Sequence, residues 1–261
     1  MTKSSVNICG LALLLCAPPL SSKAAQSSEV SAPHVRGLPP GAVVLEQERL
    51  PETAHRSRLL VLWMQDPQRH PKPVDEPYTC PELTRGSYYS APTRVSLVDG
   101  NSGVIINTVR ITIRSETVSG GSEKVRGDDS FDIPYRIERG HYRVDGPLDH
   151  GEGKPKILDL KDYNDDGRAL EFALFSAQTC SDVAVQLIGY SVERDRVIQY
   201  PFHSKNDVGD ETWFWANNLF AHKRVSRGHW HYTMQFPGAT CVFDFRYVPS
   251  AEEFLSETSC H

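Results

Sequence analysis

The chain has 261 residues, of which 39% are hydrophobic, and its formal net charge at pH 7 is −5. This length accommodates one or two domains with a substantial core. The mildly acidic balance argues against a nucleic-acid partner, which would require a basic stripe on the surface.

The N-terminal segment has the order of a secretory signal peptide. Lys3 gives a positive start, residues 8–17 form an apolar run, and small residues suit cleavage near Ala24 or Ala25. The run is too short to cross a bilayer, which takes about 20 residues, and no later stretch predicts a membrane span. We therefore expect a secreted or periplasmic protein.

Three segments follow from this interpretation. Residues 1–24 are the predicted signal peptide, and residues 25–40, rich in Ser and Pro, are a predicted flexible lead. Residues 41–261 are expected to form a single domain.

The rest of the chain has the period-two alternation of β-strands. Residues 93–98 and 104–114 flank the Gly-containing turn 99–103 and predict a β-hairpin. The apolar run 59–64 predicts a buried strand. Further strands are predicted at 156–160, 170–175, 183–190, 196–202, 229–236 and 240–248, together with a short helix at 212–222 and one helical turn at 250–256. The expected fold class is all-β, with antiparallel meanders forming a propeller-like array or a β-sandwich.

Four cysteines remain once Cys9 and Cys16 leave with the signal: Cys80, Cys180, Cys241 and Cys260. An even number in an oxidising compartment predicts two disulfides, for which three pairings are possible. We favour Cys241–Cys260 together with Cys80–Cys180.

An acidic loop from Asp162 to Glu171 is the most specific local pattern. Its sequence is Asp-Tyr-Asn-Asp-Asp-Gly-Arg-Ala-Leu-Glu, with oxygen-bearing side chains at positions 1, 3 and 5 and Gly167 at position 6. Calcium takes six to eight oxygen ligands at about 2.3–2.6 Å. Alternate residues of a tight loop can turn their oxygens to one centre, and the turn at Gly167 lets the Arg168 carbonyl join them. Asp165, at position 4, should point outward.

The loop, with a predicted strand on each side, resembles the FG-GAP/VCBS class of calcium loops. That class has the pattern Asp-x-Asn-x-Asp-Gly-x-x-Asp and occurs in integrin-type β-propellers and many exported bacterial proteins. The resemblance implies side-chain ligands at Asp162, Asn164 and Asp166 and a carbonyl ligand at Arg168. Glu171 would close the shell, one residue later than the family's last Asp. The alternative is a metal-free turn in which Asp and Asn bond their own backbone.

Two further patterns have competing interpretations. His229 and His231 lie on one face of a predicted strand, either as a transition-metal pair or as part of a solvated polar face. The C-terminal third is rich in aromatic residues, which either form a binding platform for a sugar or peptide or belong to the core. These residues are Trp213, Phe214, Trp215, Phe220 and Trp230.

The functional prediction is an exported, calcium-stabilised, non-catalytic β-domain with a binding or structural role. Its partner would be a glycan or a protein outside the cytoplasm. The chain as a whole looks like an exported bacterial protein. The alternatives are an extracytoplasmic enzyme acting on polysaccharide or peptide, and a metal-handling protein using His229 and His231. Nucleophile-elbow, phosphate-loop and dinucleotide-binding signatures are absent from the sequence, so no catalytic residue is assigned.

Overall fold

The computed structural model describes residues 35–51, 56–71, 87–112, 135–136, 156–178, 183–205, 210–211, 214–215, 219 and 222–261. The named elements in these ranges are all β-strands, which confirms the predicted all-β class. In chain order they are β1 (Ala42–Arg49), β2 (Arg58–Gln65), β3 (Gln68–His70), β4 (Tyr88–Ser90), β5 (Thr93–Asp99), β6 (Ile105–Arg110), β7 (Tyr135–Arg136), β8 (Glu171–Gln178), β9 (Val183–Ser191), β10 (Arg196–Gln199), β11 (Phe202–Ser204), β12 (Asp210–Glu211), β13 (Phe214–Trp215), β14 (Arg224–Ser226), β15 (His229–Phe236), β16 (Ala239–Val248) and β17 (Glu253–Cys260).

The first sheet has the strand order β1-β2-β5-β6, and its neighbours are antiparallel. Its inner strand β2 is apolar on both faces. Leu60 and Leu62 pack in one buried cluster, whereas Val61 and Trp63 pack in another. A strand covered on both faces needs a continuous apolar run, so the predicted buried strand at 59–64 is confirmed. The predicted hairpin is formed by β5 and β6.

The second sheet lies between two hydrophobic clusters. It is centred on β9, which pairs with β8, β10 and β13. Side chains of β8 alternate between the clusters. Phe172 and Leu174 pack with Leu60 of the first sheet, and Ala173 packs in the cluster that contains Trp230. Each fully buried Leu or Phe side chain contributes about 1.5–3 kcal/mol to stability.

The third sheet has the order β12-β11-β17-β16-β15-β14. β11 runs parallel to β17, and the other neighbours are antiparallel. Cys241 and Cys260 stand opposite each other on β16 and β17 and form a disulfide with their Cα atoms 4.0 Å apart. This confirms the predicted pairing of these two cysteines. Cys80 and Cys180 lie outside the described residues.

A fourth, three-stranded sheet has the order β3-β4-β7.

The first and second sheets are joined by side-chain amides as well as by apolar packing. The Asn107 amide on β6 donates to the Val197 carbonyl at 2.9 Å and accepts from the Val197 N–H at 3.0 Å. Gln199 bonds the backbone of Thr112 in the same reciprocal way, at 3.2 and 2.8 Å. These amides satisfy backbone groups that an edge strand would otherwise leave to water.

Two strand predictions were wrong in detail. Residues 156–160 do not form a strand. Ile157 and Leu158 donate their backbone N–H groups to the Glu46 carboxylate instead. Residues 196–202 form two strands in different sheets, β10 and β11. The break falls at Pro201, which has no N–H to continue a ladder.

The two helical predictions were wrong where strands replace them. Residues 253–260 form β17, whose Phe254 is fully buried, and only the residues just before it form a turn, closed by a hydrogen bond from Glu252 N to the Val248 carbonyl. Within 212–222, residues Phe214–Trp215 pair with β9 as β13, whereas Leu219 has helical backbone and residues 212–213, 216–218 and 220–221 lie outside the described part. In the part of the chain described above, no helix is long and apolar enough to cross a membrane.

The first described residues belong to the predicted lead. Val35 is buried in the same cluster as Val61, and Arg36 forms a parallel bridge with Val104. The predicted segment boundaries at residues 24 and 40 stay predictions.

Candidate functional site

The acidic loop is a closed connection that leads into β8. Lys161 and Glu171 pair at its base through two backbone hydrogen bonds of 2.8 and 3.1 Å. Gly167 has a φ of +93°, a left-handed conformation that glycine adopts at little cost. The turn that was predicted at Gly167 is therefore present, and both ends of the loop are fixed.

Three side chains of the loop bond backbone N–H groups further along. Asp162 Oδ2 accepts from Gly167 N at 3.0 Å, Asn164 Oδ1 accepts from Asp166 N at 3.0 Å, and Asp166 Oδ1 accepts from Arg168 N at 2.9 Å. This is the bonding expected of an Asx-rich turn. Asp162 Oδ1, however, is buried and accepts no hydrogen bond.

Glu171 has the most perturbed environment of the predicted ligands. It is only 1% exposed. Its carboxyl group accepts from the Tyr163 N–H at 3.2 Å and from the Tyr200 hydroxyl at 3.3 Å. Burial, reinforced by the nearby carboxylates of Asp166 and Asp162, raises the pKa of Glu171 to about 8. The loop therefore places a poorly solvated carboxyl group beside two others.

A glycine of β9 makes room for this carboxyl group. Gly189 stands opposite Glu171 in the sheet. A Cβ atom at Gly189 would lie 2.9 Å from Glu171 Cγ and 2.9 Å from Tyr200 Cε2. Both contacts are too short for a real side chain, so Glu171 and Tyr200 can pack over this strand only because residue 189 is glycine.

Arg168 occupies part of the predicted ligand set. Its guanidinium lies 3.0 Å from Asp166 Oδ2, and its carbonyl oxygen accepts from Leu170 N at 3.1 Å. The hydrogen bond that the guanidinium donates to Asp166 and the negative charge of Asp166 raise the pKa of Arg168. A carbonyl oxygen has a second lone pair, so one hydrogen bond does not prevent it from binding a cation.

Asp165 does not point outward, and that expectation was wrong. Its φ is +60°. Its carboxylate accepts from the Gly228 N–H at 2.9 Å and forms an ion pair with Arg224. Arg227 donates to the backbone carbonyls of Asp165 and Asp166. The left-handed backbone turns the Asp165 side chain toward the hairpin of β14 and β15. This hairpin holds the loop through hydrogen bonds and an ion pair.

No local sequence pattern predicts this contact. Arg224, Arg227 and Gly228 are about 60 residues away in the chain, with sequence separations of 59, 62 and 63 from Asp165. The spacing of residues within the loop contains no information about its contacts with distant parts of the chain. The tolerance of Asp for left-handed φ was the one local clue.

The described residues contain no group of three or more His, Cys, Asp or Glu side chains arranged to hold a metal ion. Asp162, Asp166 and Glu171 belong to one loop, but each of the two Asp side chains turns an oxygen to a local donor. The loop brings its carboxyl groups near one another without converging them on one point.

His229 and His231 do share a face of β15, as predicted. Both contact the same oxygen of Asp244 on the neighbouring strand, His229 Nε2 at 2.8 Å and His231 Nδ1 at 3.2 Å. Arg246 Nε binds the other oxygen at 2.8 Å. Partial burial raises the pKa of Asp244, but these hydrogen bonds outweigh that effect and hold the pKa well below its usual range.

The aromatic residues separate into two groups. Trp230 is 5% exposed and packs against Phe254, with ring centroids 6.2 Å apart, so it belongs to the core. Trp213, Phe220 and the side chains of Phe214–Trp215 lie outside the described part of the structure.

Comparison of the chain with models of known protein families, with curated proteins and with solved structures found no match. The FG-GAP/VCBS resemblance therefore rests on the residues of the acidic loop alone and stays a prediction.

Proposed function

We propose that this chain is an exported, calcium-stabilised, non-catalytic β-domain with a binding or structural role. Asp162 Oδ1 is the observation that carries the proposal, because it is a buried carboxylate oxygen without a hydrogen-bond donor. Leaving such a group unsatisfied costs about 1–3 kcal/mol or more. A cation at the loop would supply the missing partner.

The donor set suits calcium, a hard cation that prefers oxygen ligands. The ion would be held by the carboxylates of Asp162, Asp166 and Glu171, the amide oxygen of Asn164 and the backbone carbonyl of Arg168. These groups would have to turn toward one point to bind it, because the described side chains do not converge in the structure. When bound, it would neutralise the carboxylates around the buried Glu171. It would also compete with the Arg168 guanidinium for Asp166, since these two groups now form an ion pair.

A structural role follows from where the loop lies. Its C-terminal end continues directly into β8 of the second sheet, and its middle is bonded by Arg227 and Gly228, in the turn between β14 and β15 of the third sheet. A cation that stiffens the loop would therefore stabilise the contact between two sheets. A ligand at 100 times its Kd stabilises a fold by about 2.7 kcal/mol.

A binding role is favoured over catalysis by the burial of the perturbed groups. Glu171 and Tyr200, whose pKa values are raised by burial, are 1% and 2% exposed. A catalytic acid must touch its substrate. Groups enclosed to this degree suit a site that supports the fold, and a partner glycan or protein would bind elsewhere on the surface.

The test compares thermal unfolding of the purified protein in EDTA and in millimolar calcium, with magnesium as a second control. Calcium should raise the midpoint by about 5–10 °C, given about 2–4 °C per kcal/mol for a domain of this size. Asp162→Ala should abolish the rise. Asp159→Ala, which removes an exposed carboxylate just before the loop, should retain it. An unchanged midpoint in calcium would reduce the loop to a metal-free turn.

Export is tested separately. Expressed in a bacterium, the mature protein should be recovered outside the cytoplasm with a mass that lacks the first 24 or 25 residues. Recovery of the full-length chain from the cytoplasm alone would contradict the signal peptide.

A further inference from the structure

A cavity of about 450 Å³ lies between the acidic loop and the hairpin of β14 and β15. The described residues that line it are Asp162, Tyr163, His222, Lys223, Arg224 and Trp230. The volume falls within the range of about 300–1,000 Å³ that small-molecule sites occupy. Polar, charged and aromatic side chains meet in it, which is the composition of a site for a polar ligand with a ring.

The charges around the cavity favour an anion. Lys223 is exposed and forms no ion pair with any described residue. Arg224 is a second cationic side chain, and one nitrogen of its guanidinium group is paired with Asp165. Among the described lining residues Asp162 is the one carboxylate. It is turned into the loop, since one oxygen accepts from Gly167 N and the other is buried. An incoming carboxylate would thus meet two cationic side chains.

The aromatic side chains favour a ring. Trp230 and Tyr163 contribute apolar surface, and the His222 ring stacks on Tyr232 with centroids 3.5 Å apart and planes 4° from parallel. The stacking fixes the orientation of the His222 ring. Tyr, Trp and His combine an apolar body with a polar tip, so they can cover the C–H faces of a sugar while hydrogen-bonding its hydroxyl groups.

We propose that this cavity binds a hexuronate, a six-membered sugar ring that carries one carboxylate. The carboxylate lies at Lys223 and Arg224, and the ring lies against Tyr163, His222 and Trp230. The site uses no metal ion. It therefore stands whether or not the loop binds calcium.

The test is a titration of the protein with glucuronate in EDTA, followed by NMR or calorimetry. Methyl glucoside, which has the ring without the carboxylate, is the first comparison ligand. Inorganic phosphate has charge without the sugar ring, and benzoate has a carboxylate on a flat ring. Glucuronate should bind saturably and at least about tenfold more tightly than each of the three, because each lacks one of the two recognition features.

Lys223→Gln should weaken glucuronate binding by about tenfold, since it removes one charged partner and keeps a flexible polar side chain. Lys205→Gln is the matched control, because Lys205 is an exposed lysine that does not line this cavity. It should leave the affinity unchanged. Equal melting temperatures of the two variants establish that both are folded.

The proposal is overturned if glucuronate fails to saturate the protein, or if Lys223→Gln binds it as tightly as wild type does. It is also overturned if methyl glucoside, phosphate or benzoate binds as tightly as glucuronate. The last outcome would leave a neutral-sugar site, a simple anion site or an aromatic-acid site, respectively.

Discussion

Asp165 should be a main anchor of the acidic loop, although its position within the loop predicted an exposed and replaceable side chain. Asp165→Ala removes the acceptor for the Gly228 N–H and the ion pair with Arg224. It also places alanine at a φ of +60°. We expect it to destabilise the protein, whereas an exposed aspartate of a solvated turn could be replaced at little cost.

The expected loss follows from these three contributions. A hydrogen bond to a charged acceptor contributes about 1.5–3 kcal/mol, and an exposed ion pair at most about 1 kcal/mol. Left-handed backbone costs an ordinary residue roughly 1–2 kcal/mol. Asp165→Ala should therefore lower the free energy of unfolding by about 3–5 kcal/mol. Asp165→Gly, which removes the strain, should lower it by about 2–3 kcal/mol, and Asp165→Asn, which keeps an acceptor, by about 1–2 kcal/mol.

Urea unfolding of the three variants, in EDTA, measures this order. Asp159→Ala is the control, because it removes an exposed aspartate whose partner is Lys161 in the same segment. It should change stability by less than about 0.5 kcal/mol. If Asp165→Ala also stays within that limit, or if Asp165→Gly is the most damaging of the three, the anchoring role of Asp165 is refuted.

Three further predictions concern contacts elsewhere in the fold. Hydrogen bonds from Arg58 hold the pKa of Asp195 below its usual range. This stabilisation is present above the unfolded pKa of about 3.9 and is lost as the pH falls through the folded value, so Asp195→Asn should flatten the decline of urea midpoints below about pH 4. Asn107→Leu breaks both amide bonds to Val197 and should cost about 1–3 kcal/mol in urea unfolding, whereas an unchanged midpoint would mean that the bridge between the sheets contributes nothing. Replacing Cys241 and Cys260 with serine opens a loop with a sequence separation of 19 and should cost about 3 kcal/mol. When both proteins are in a reducing agent, wild type and variant should melt at the same temperature, and a persisting difference would mean that the loss does not come from this disulfide.

The strands that the sequence predicted well are those in which one burial pattern, on both faces or on one face, holds along the whole strand. The run at 59–64 is apolar throughout because β2 is covered on both faces, and β15 alternates because one face meets the core. β17 was mistaken for a helical turn, since its buried Phe254 is followed mainly by polar residues. β17 forms a strand because it pairs with β16 and β11, and a local sequence pattern does not show such pairing.

The candidate site was predicted only as far as local bonding reaches. The turn at Gly167 could be read from the residue type, because left-handed backbone favours glycine. The enclosure of Glu171 by Tyr200 and Gly189 could not, since these residues come from two other stretches of the chain. The cavity was missed for the same reason, because Tyr163 and Lys223 meet only in the folded protein.

The turn and the metal-site interpretations of the acidic loop need not be alternatives. A turn uses one oxygen of each side chain to bond a backbone N–H, as Asp162 Oδ2 does with Gly167. A carboxylate has a second oxygen, and the same turn fixes where that oxygen points. In Asp162 the second oxygen is buried without a donor, which a turn by itself does not require. The turn therefore serves as the scaffold that holds a ligand oxygen in place, and the cost of leaving that oxygen unpaired favours binding of a cation.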